Sequence, residues 1–535
     1  MSLVLRLLLT LSSAALLILS FPNFNQPWCA WVALTPWLVA LRGLTSRQAF
    51  GWSYLVGLVF FLGSIWWLVH VTFVGLVVLC LYLALYFGLF GWFVRLVGAT
   101  RPEPSSVSGL WSLVSGLVLI PAAWVALEYL RSHLLSGFGW NLLGYSQTPV
   151  LPVIQLADAT GVWGISFVIV MVNVAIAGCV GSRQVRKRLP AVMGAAGCVI
   201  ALWLYGQWRL HQPAHGTPVR IAVVQGDIPQ EAKWDKAFQA SILERYERLT
   251  REAAAHTPHL IVWPEASVPG VFGGEDPVTA RVTRLAQSVR IPLLVGAPMS
   301  RQVGGAAWHL TNSAALLEPD GALAVRYDKL HLVPFGEFVP FEGVAPWLRS
   351  ALPPIGDFVP GHDSTVFQLD GSRLQALGSR PETQNLERAA WSVQLRFSVL
   401  ICFEDIFPDL ARQFVRRGAR LLATITNDAW FGHSAAAYQH AQASTFRAVE
   451  LRVPMVRAAN TGWSGCIDPH GRWLTSVRDA TGEELFIEGV ALCEVTLDGA
   501  GKSLYQRWGD WVAWLCCLLT IGWMATVSKQ STVHS

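Results

Sequence analysis

The chain has 535 residues, of which 53% are hydrophobic and only 14% are charged, against about 25% charged residues in soluble proteins. Its mean hydropathy of +0.41 is typical of a membrane protein that also carries a soluble part. The net charge of +5 is too diffuse to indicate nucleic-acid binding. The nine cysteines form no CxxC pair, so neither a disulfide framework nor a zinc site is predicted.

Eight apolar runs predict membrane-spanning helices, seven in the N-terminal part of the chain and one near the C-terminus. They are Leu3–Phe21, Trp28–Leu41, Tyr54–Val69, Thr72–Val94, Val107–Tyr129, Gly161–Val180, Ala191–Leu210 and Trp508–Val527. Most of them approach the roughly 20 residues that an α-helix needs to cross a bilayer, although Trp28–Leu41 is shorter. No small-residue cleavage site follows the first run, so we interpret it as a span and not as a signal peptide.

Basic residues in the connecting loops predict the orientation of these spans. They are concentrated in alternate loops and in the final tail, namely Arg42, Arg47, Arg95, Arg101, Arg183, Arg186, Lys187, Arg188 and Lys529. The intervening short loops, such as Pro22–Pro27, carry almost no lysine or arginine. Because loops rich in lysine and arginine stay in the cytoplasm, this pattern predicts eight spans with both termini cytoplasmic. The segment between Leu210 and Trp508 is then predicted to lie outside the cytoplasmic membrane.

The chain divides into three predicted parts: a seven-span domain over 1–210, a soluble α/β domain over 211–505, and a C-terminal membrane helix with a tail over 506–535. In the middle part, short β-type runs alternate with helical patterns, which is typical of a sheet covered by helices. The β-type runs are Val219–Val224, Leu260–Trp263, Ile291–Gly296, Ala314–Leu317, Ala322–Tyr327, Phe397–Cys402 and Leu421–Thr426. The helical patterns are Ala237–Ala254, Pro277–Val289, Pro408–Arg417 and Ala435–Glu450. The mixed polar stretch Gly371–Ala390 is predicted to be an exposed loop or insertion.

Three of the β-type runs end at or near an ionisable side chain. Glu265 follows the run that ends at Trp263, Lys329 follows the run that ends at Tyr327, and Cys402 ends a third run. Taken singly, each has an ordinary structural explanation, because acids and lysines are usually solvated and cysteines are usually buried as small hydrophobes. Taken together, a carboxylate, an ammonium group and a thiol at strand ends predict a nucleophile site.

The motifs around these residues resemble those of the nitrilase, or carbon–nitrogen hydrolase, superfamily. They are Trp263-Pro-Glu265, Asp328-Lys-Leu-His-Leu-Val-Pro-Phe-Gly-Glu-Phe-Val-Pro340 and Cys402-Phe-Glu-Asp-Ile-Phe-Pro408. Further motifs are Val224-Gln-Gly-Asp-Ile-Pro-Gln230 with Lys233 and Trp234, Thr426-Asn-Asp-Ala-Trp-Phe-Gly432, Gly137-Phe-Gly-Trp140 and Gly144-Tyr-Ser-Gln147. With the membrane spans around them, the chain resembles the bacterial apolipoprotein N-acyltransferase family over nearly its whole length. It departs from that family at Phe403, where tyrosine is common, and in the length of the Gly371–Ala390 stretch.

The resemblance implies an αββα sandwich that carries a Glu-Lys-Cys triad at Glu265, Lys329 and Cys402. Cys402 is then the nucleophile, and Glu265 is the general base that takes its proton and later activates the attacking amine. Such a base is needed because a free thiol has a pKa of about 8.5 and is mostly protonated at neutral pH. Lys329 and the backbone N–H of Phe403 are expected to hold the oxyanion of each tetrahedral intermediate.

Other residues are expected to support the triad. Glu337 resembles a further glutamate of the family, and we expect it to orient the triad lysine or the incoming amine. Glu404 is a candidate supporting residue, and Trp234 is a candidate for lining an acyl-chain path or a mobile lid. For Asp405 we favour a role in stabilising a helix N-terminus.

The predicted spans offer a candidate lipid contact and no candidate metal site. Glu128 and Arg131 lie at the outer end of the fifth predicted span, where we expect them to meet a phospholipid headgroup. No metal or organic cofactor is predicted, because the histidines form no ligand-spaced cluster.

The resemblance implies a lipid-to-protein acyl transfer. A phospholipid donates an acyl chain to the cysteine as a thioester, and the α-amino group of the N-terminal diacylglyceryl-cysteine of an apolipoprotein accepts it. This is the final step of bacterial lipoprotein maturation. The protein is expected to act as a monomer in the bacterial inner membrane, with its catalytic domain facing the periplasm and with no nucleic-acid partner.

Two alternatives remain open on the residues alone. One is a membrane-tethered amidase or nitrile hydrolase that uses water as the acceptor, which the triad does not exclude. The other is a non-catalytic scaffold or transporter that retains the fold. Against the transporter, the spans are poor in the paired ionisable residues that mark ion pathways.

Overall fold

The structure is a computed structural model that describes residues 1–99, 106–181, 185–212, 216–303, 307–339, 357–369, 394–497 and 503–533. The chain divides into two compact units. The first contains Met1–Gln212, Ser434–Gln442 and Ser503–Ser535, and the second contains Pro213–His433 and Ala443–Lys502. The predicted insertion Gly371–Ala390 lies outside the described residues, and the three-part division of the sequence stays a prediction.

The first unit begins with a series of helices. In chain order they are α1 (Leu3–Leu19), α2 (Pro27–Ala40), α3 (Ser46–Ser64), α4 (Phe73–Ala99), α5 (Ser106–His133), α6 (Leu151–Ile154), α7 (Ala157–Thr160), α8 (Val162–Cys179) and α9 (Val185–Leu210). Pro27 occupies the first turn of α2, where its missing N–H costs no helical hydrogen bond. Helix α3 begins with a capping box, in which the Thr45 hydroxyl accepts from Gln48 N–H and the Gln48 side chain accepts from Thr45 N–H.

A buried asparagine joins α8 to α2. Asn173 Nδ2 donates to the carbonyl oxygen of Ala30 at 2.9 Å, and Asn173 Oδ1 accepts from the N–H groups of Leu34 and Thr35 at 2.9 and 3.0 Å. These backbone groups belong to the helical turn that leads to Pro36, a residue that disrupts the regular helical hydrogen bonds. The amide of Asn173 therefore pairs backbone groups of α2 close to Pro36 and ties the two helices together.

Glu128 and Arg131 hold the segment that follows α5. Glu128 Oε1 accepts a hydrogen bond from Leu143 N–H at 2.7 Å, and Arg131 Nη1 donates to the carbonyl oxygen of Trp140 at 2.9 Å. Both side chains are buried, with 5% and 4% of their surface exposed. Both charged groups thus bond the backbone of this segment, and the predicted contact with a lipid headgroup stays a prediction.

The second unit contains twelve strands within the described residues, arranged in two six-stranded sheets. The strands are β1 (Thr217–Gln225), β2 (Leu260–Val262), β3 (Leu293–Val303), β4 (Ala307–Leu317), β5 (Leu323–Asp328), β6 (Phe367–Leu369), β7 (Leu395–Ile401), β8 (Leu421–Thr426), β9 (Met455–Ala459), β10 (Gly465–Ile467), β11 (Trp473–Ser476) and β12 (Gly489–Leu497). Their orders are β12-β1-β2-β3-β4-β5 and β11-β10-β9-β8-β7-β6. Strands β1 to β3 run parallel, as do β7 to β9, and the other neighbours are antiparallel.

Two amphipathic helices, α10 (Gln239–Ala254) and α11 (Pro277–Val289), cover one face of the first sheet. The apolar side chains of α10 recur at helical spacing and are buried against β1 to β3; they are Ile242, Leu243, Tyr246, Leu249 and Ala253. Full burial of one large apolar side chain stabilises a fold by about 1.5–3 kcal/mol. This packing fixes β1 and β2 and thereby the loops that follow them.

Two further helices cover the second sheet. Helix α12 (Pro408–Arg416) begins with a proline and packs against β7, and α13 (Ala436–Leu451) is hydrogen-bonded to β11 through Thr445 and Trp473 at 2.8 Å. The other faces of the two sheets contact each other, with β1 beside β9 and β4 beside β7. The second unit therefore has the αββα layering that the resemblance implies.

Loops at the carboxyl ends of the parallel strands meet one another. Asn427, directly after β8, donates from Nδ2 to Gln230 Oε1 at 2.7 Å and accepts from Asn460 Nδ2 at 3.0 Å. Gln230 lies in the loop after β1, and Asn460 directly follows β9. Open α/β sheets bind ligands at the carboxyl ends of their strands, so this end of the sandwich is where a site is expected.

The chain ends with two helices of the first unit, α14 (Leu504–Trp508) and α15 (Trp511–Val533). Within the described residues, three helical stretches are long and apolar enough to cross a membrane, namely Phe73–Gly98, Val162–Cys179 and Arg188–Leu210. The apolar helices Leu3–Leu19, Pro27–Ala40 and Trp511–Val527 are shorter. A helix lies at each of the eight predicted positions, and the count of eight membrane crossings stays a prediction.

Candidate active site

The three residues predicted to form the triad lie together in the second unit. Glu265 follows β2, Lys329 directly follows β5, and Cys402 directly follows β7. Their exposed fractions are 7%, 1% and 9%, so all three are buried. Lys329 Nζ lies 3.6 Å from Glu265 Oε1, and both charges act on the thiol of Cys402. The structure thus brings together the carboxylate, the ammonium group and the thiol.

Cys402 stands at a sharp turn between β7 and the short 3-10 helix Cys402–Ile406. Its φ angle is +54°, in the left-handed region that residues other than glycine rarely occupy. Burial raises the pKa of the thiol, the charge of Glu265 raises it further, and Lys329 only partly offsets them. The pKa therefore stays well above its ordinary value. The thiol is protonated at neutral pH and needs a base at the moment it reacts.

Lys329 is held as an ammonium group by two carboxylates. Its Nζ lies 2.9 Å from Glu337 Oε2, in addition to the contact with Glu265. Burial by itself would lower the pKa of Lys329, but the charges of Glu337 and Glu265 outweigh it and raise the pKa above the ordinary value. Glu337 Oε2 also accepts from Val333 N–H at 2.8 Å, which fixes the carboxylate in its own loop. Glu337 thus contacts the lysine directly, and its role in orienting the lysine or the incoming amine stays a prediction.

Asn312, a residue of β4, links the two carboxylates. Its Nδ2 donates to Glu265 Oε1 and to Glu337 Oε1, both at 2.7 Å. The other oxygen of Glu265 accepts from Asn427 N–H at 2.9 Å, so both oxygens of this carboxylate are oriented. Asn312 was not predicted as a site residue. The sequence signal for Asn312 is an amide at a position of β4 whose neighbours on the same face are mainly small or apolar. An amide at such a position needs hydrogen-bond partners when it is buried.

Lys233 is a second cation close to the site. Its Nζ donates to the backbone carbonyl oxygen of Glu265 at 3.0 Å, and its side chain is buried. Burial lowers the pKa of Lys233 to about 8, although the charges of Glu265 and Cys402 act in the opposite direction. The residue occurs in a motif of the family resemblance, but no role was predicted for it. The structure places it against the backbone of the candidate base.

Glu404 joins the loop of Lys329 to the turn of Cys402. Its Oε1 accepts from the hydroxyl of Tyr327 and from the N–H groups of Leu330 and His331, at 2.7, 2.7 and 3.1 Å. Its Oε2 accepts from Ile401 N–H at 2.7 Å. Burial raises the pKa of Glu404 to about 7, and these hydrogen bonds limit the rise. Glu404 therefore positions the two segments that carry the lysine and the thiol.

A buried ion-pair network lies behind the turn of Cys402. Arg457, on β9, donates from Nη1 to Asp405 Oδ2 at 2.8 Å and lies 3.1 Å from Asp428 Oδ2 through Nη2. Ser444 also donates to Asp405 Oδ2. Burial lowers the pKa of Arg457, but Asp428 and Asp405 outweigh it and raise the pKa. The expectation that Asp405 stabilises a helix N-terminus is thus replaced by a role in this network.

The two remaining predicted residues lie at the edge of the cluster. Phe403 follows Cys402 in the 3-10 turn, and its ring centroid is 5.2 Å from that of Phe407. Trp234 is 51% exposed, so its side chain faces the surface next to the buried Lys233. The oxyanion role of the Phe403 N–H and the acyl-path role of Trp234 stay predictions.

The arrangement supports nucleophilic acyl chemistry. Glu265 can accept the proton of Cys402, and Lys329 can stabilise negative charge on a carbonyl oxygen of a bound substrate. Glu337, Asn312 and the N–H of Asn427 hold these groups in place, and burial strengthens their electrostatic interactions.

Two families match most of the chain. Residues 13–175 match the family described as apolipoprotein N-acyltransferase N-terminal domain, and residues 220–500 match carbon-nitrogen hydrolase. Among solved structures, Saccharomyces cerevisiae Nit3, a member of branch 10 of the nitrilase superfamily, aligns with a TM-score of 0.36 and 18% identity. That alignment covers 55% of this chain and 93% of that chain.

Relatives along the whole length bear the same name. The apolipoprotein N-acyltransferase of Geobacter metallireducens is 39% identical over 98% of this chain and 96% of its own length. The apolipoprotein N-acyltransferase of Methylococcus capsulatus is 31% identical over 96% of this chain and 95% of its own length. With this identity over nearly all of both sequences, the chain belongs to the apolipoprotein N-acyltransferase family.

Proposed function

We propose that this protein transfers an acyl chain from a membrane phospholipid to the α-amino group of the N-terminal diacylglyceryl-cysteine of apolipoproteins. The observation that carries the proposal is the buried cluster of Cys402, Glu265 and Lys329 in a chain of this family. The cluster supplies a nucleophile, a base and an oxyanion partner, which are the groups that two-step acyl transfer needs.

In the first half-reaction, the sulfur of Cys402 attacks the ester carbonyl carbon of the phospholipid while Glu265 takes the thiol proton. The ester C–O bond breaks, and the leaving oxygen of the lysophospholipid takes this proton from Glu265. The acyl chain remains on Cys402 as a thioester. The raised pKa of the thiol supports this order of events, because the proton then leaves during the attack and not before it.

Negative charge develops on the carbonyl oxygen in each tetrahedral intermediate. Lys329, kept as an ammonium group by Glu337 and Glu265, is placed to stabilise this charge together with the backbone N–H of Phe403. Loss of one such donor typically raises the barrier by about 3–4 kcal/mol. The fixed position of Lys329 supports this role, since no reorientation is needed when the charge forms.

In the second half-reaction, the neutral α-amino group of the lipoprotein attacks the thioester carbonyl carbon. Glu265 takes a proton from the attacking nitrogen, the C–S bond breaks, and the sulfur of Cys402 regains a proton. Transfer through one covalent intermediate gives ping-pong kinetics. Lys233 supports Glu265 in both steps by binding its backbone carbonyl group.

We further propose that the protein crosses the bacterial inner membrane eight times, with the second unit in the periplasm. The apolar helices at the eight predicted positions and the positive loops between them support this topology. Both substrates are anchored in lipid, so a catalytic unit tethered by membrane helices meets them at the surface where they reside.

The test uses the purified full-length protein with a phospholipid that is radiolabelled in one acyl chain, with and without a synthetic diacylated lipopeptide. The proposal predicts lysophospholipid and triacylated peptide in equal amounts. Free fatty acid as the main product would identify a hydrolase that uses water. Absence of turnover in both arms would contradict catalysis altogether and favour a scaffold.

A further inference from the structure

A cavity of about 390 Å³ lies among the helices of the first unit, apart from the residues described above. It is open on one side and is lined by the C-terminal ends of α2, α4 and α8 and by the N-terminal halves of α5 and α9. Pockets that bind small molecules commonly measure about 300–1,000 Å³, so the cavity is large enough to hold part of a ligand.

Three arginines line this cavity: Arg42, Arg95 and Arg188. Within the described part of the chain, the lining contains no aspartate or glutamate. Arg42 donates to the carbonyl groups of Ala177 and Val180 at the end of α8, which fixes its position at the rim. Burial lowers the pKa of Arg42 and the positive charge of Arg188 lowers it further, so these two cations lie close enough to repel each other.

The other walls of the cavity are apolar or lack side chains. Leu117 and Ile120 of α5 contribute apolar surface, and Gly178 of α8 leaves open space where a side chain would stand. The cavity therefore combines a cluster of positive charge with apolar side chains on its other walls. An ordinary soluble anion needs only the charge, whereas a lipid needs both.

The predicted topology assigns this end of the helices to the cytoplasm. Arg42, Arg95 and Arg188 all belong to loops or helix ends that the positive-inside pattern places there. Basic pockets between membrane helices on the cytoplasmic side are suited to anionic lipid headgroups, and arginine forms paired hydrogen bonds to phosphate oxygens.

We propose that this cavity binds an anionic phospholipid of the inner leaflet, with its phosphate group at Arg95 and Arg188 and an acyl chain along Leu117 and Ile120. Such a lipid relieves the repulsion between Arg42 and Arg188 and fills the space between α5 and α8. The proposal rests on the predicted topology and not on acyl transfer, since it involves no residue of the Cys402 cluster.

The experiment measures lipid binding to the detergent-purified full chain by native mass spectrometry. Dioleoylphosphatidylglycerol is titrated against dioleoylphosphatidylcholine, each with the variants Arg95→Gln/Arg188→Gln and Gly178→Leu. Arg186→Gln is the matched control, because Arg186 lies on the same helix as Arg188, is exposed and does not line the cavity. All proteins carry Cys402→Ala, so that turnover of the donor does not change the lipid count.

We expect the anionic lipid to bind more tightly than the zwitterionic lipid. Each arginine should contribute about a factor of five to the affinity for the anionic lipid, so the double arginine variant should bind this lipid roughly 25-fold more weakly. Arg186→Gln should bind it as tightly as the parent protein. Gly178→Leu should also weaken binding, because its side chain fills the space of the acyl chain. Equal binding of both lipids, or equal binding by the parent and the double arginine variant, would overturn the proposal. Full displacement of the lipid by millimolar inorganic phosphate would also overturn it in favour of a soluble anion.

Discussion

Glu404 links the loop that carries Lys329 to the turn that carries Cys402, and its replacement by glutamine tests that link. In the structure, one carboxylate oxygen accepts three hydrogen bonds and the other accepts one from Ile401 N–H. A glutamine that keeps its oxygen toward the three donors turns its NH2 group toward Ile401, so one buried donor loses its acceptor. This loss costs about 1–3 kcal/mol of the free energy of unfolding. We therefore expect Glu404→Gln to lower the Tm by about 2–12 °C, at roughly 2–4 °C per kcal/mol.

The same change should also slow acyl-enzyme formation. Expressed as a free energy, the rise of this reaction barrier should exceed the loss of the free energy of unfolding. A displacement of about 1 Å at a reacting group can cost about 100-fold in rate, and Ile401 directly precedes the nucleophile. The assay follows thioester formation from labelled phospholipid without acceptor, beside thermal unfolding in the same detergent. The matched control is Tyr327→Phe, which removes one hydrogen bond to Glu404 but leaves Ile401 paired. A wild-type Tm and rate for Glu404→Gln, or an equally slow Tyr327→Phe, would refute this positioning role.

Three further changes test the surroundings of the site. Burial lowers the pKa of Lys233 to about 8. As the pH rises through that value, Lys233 loses its positive charge and no longer stabilises the developing thiolate of Cys402. The acylation rate should therefore fall. Lys233→Met should abolish this dependence, and a profile that keeps its alkaline limb would contradict the assignment. Asn312→Asp removes the amide that donates hydrogen bonds to Glu265 and Glu337 and puts a third carboxylate in its place. At about 1.5–3 kcal/mol per lost hydrogen bond, the acylation rate should fall at least about 100-fold. Wild-type kinetics would exclude this role. Arg457→Met removes the guanidinium that forms ion pairs with two buried aspartates, Asp405 and Asp428, at a cost of about 3–5 kcal/mol. Little monodisperse protein is therefore expected by gel filtration, and a wild-type yield would contradict this role.

Local sequence patterns predict the strands that carry the triad. The runs Leu260–Trp263, Ala322–Tyr327 and Phe397–Cys402 lie within two residues of β2, β5 and β7 at each end. Strands β2 and β7 are almost entirely buried, which gives short and clear apolar runs. Strands predicted from strong local patterns of this kind are present in the folded protein.

The sequence patterns do not predict β6 or β9 to β12, because these strands are short, their partners lie far away in the sequence, or their patterns are weak. Strand β12 pairs with β1, for example Val495 with Val219, and its polarity alternates only weakly in the sequence because the less buried positions include Val490 and Leu492. Strand β10 has only three residues, and its place depends on β9 and β11 on either side. Pairing over such distances is set by packing in three dimensions, which local periodicity does not reveal.

The site residues that directly follow strands can be predicted from the sequence. Residues whose contacts depend on how neighbouring strands are paired are harder to predict. Asn312 lies beside the triad because the pairing of β4 with β5 brings its backbone carbonyl within 2.8 Å of Lys329 N–H. Lys233 was overlooked because lysines are almost always exposed, and a buried one is recognised only from its contacts. The pairing of Asp405 with Arg457 likewise depends on the distance between the 3-10 turn after β7 and strand β9, which sequence alone does not fix.

Cys402 is proposed to carry the acyl chain, and isolation of the acylated peptide decides whether it does. The wild-type protein is incubated with phospholipid in the absence of acceptor, digested, and examined by tandem mass spectrometry. We predict an acyl adduct on Cys402 that hydroxylamine removes and that disappears when the diacylated lipopeptide is added. Cys402→Ala should lose both adduct and product, whereas Cys466→Ala, which changes another buried cysteine of the same unit, should keep them. Acylated lipopeptide formed by Cys402→Ala, or an adduct located on a different residue, would contradict the account.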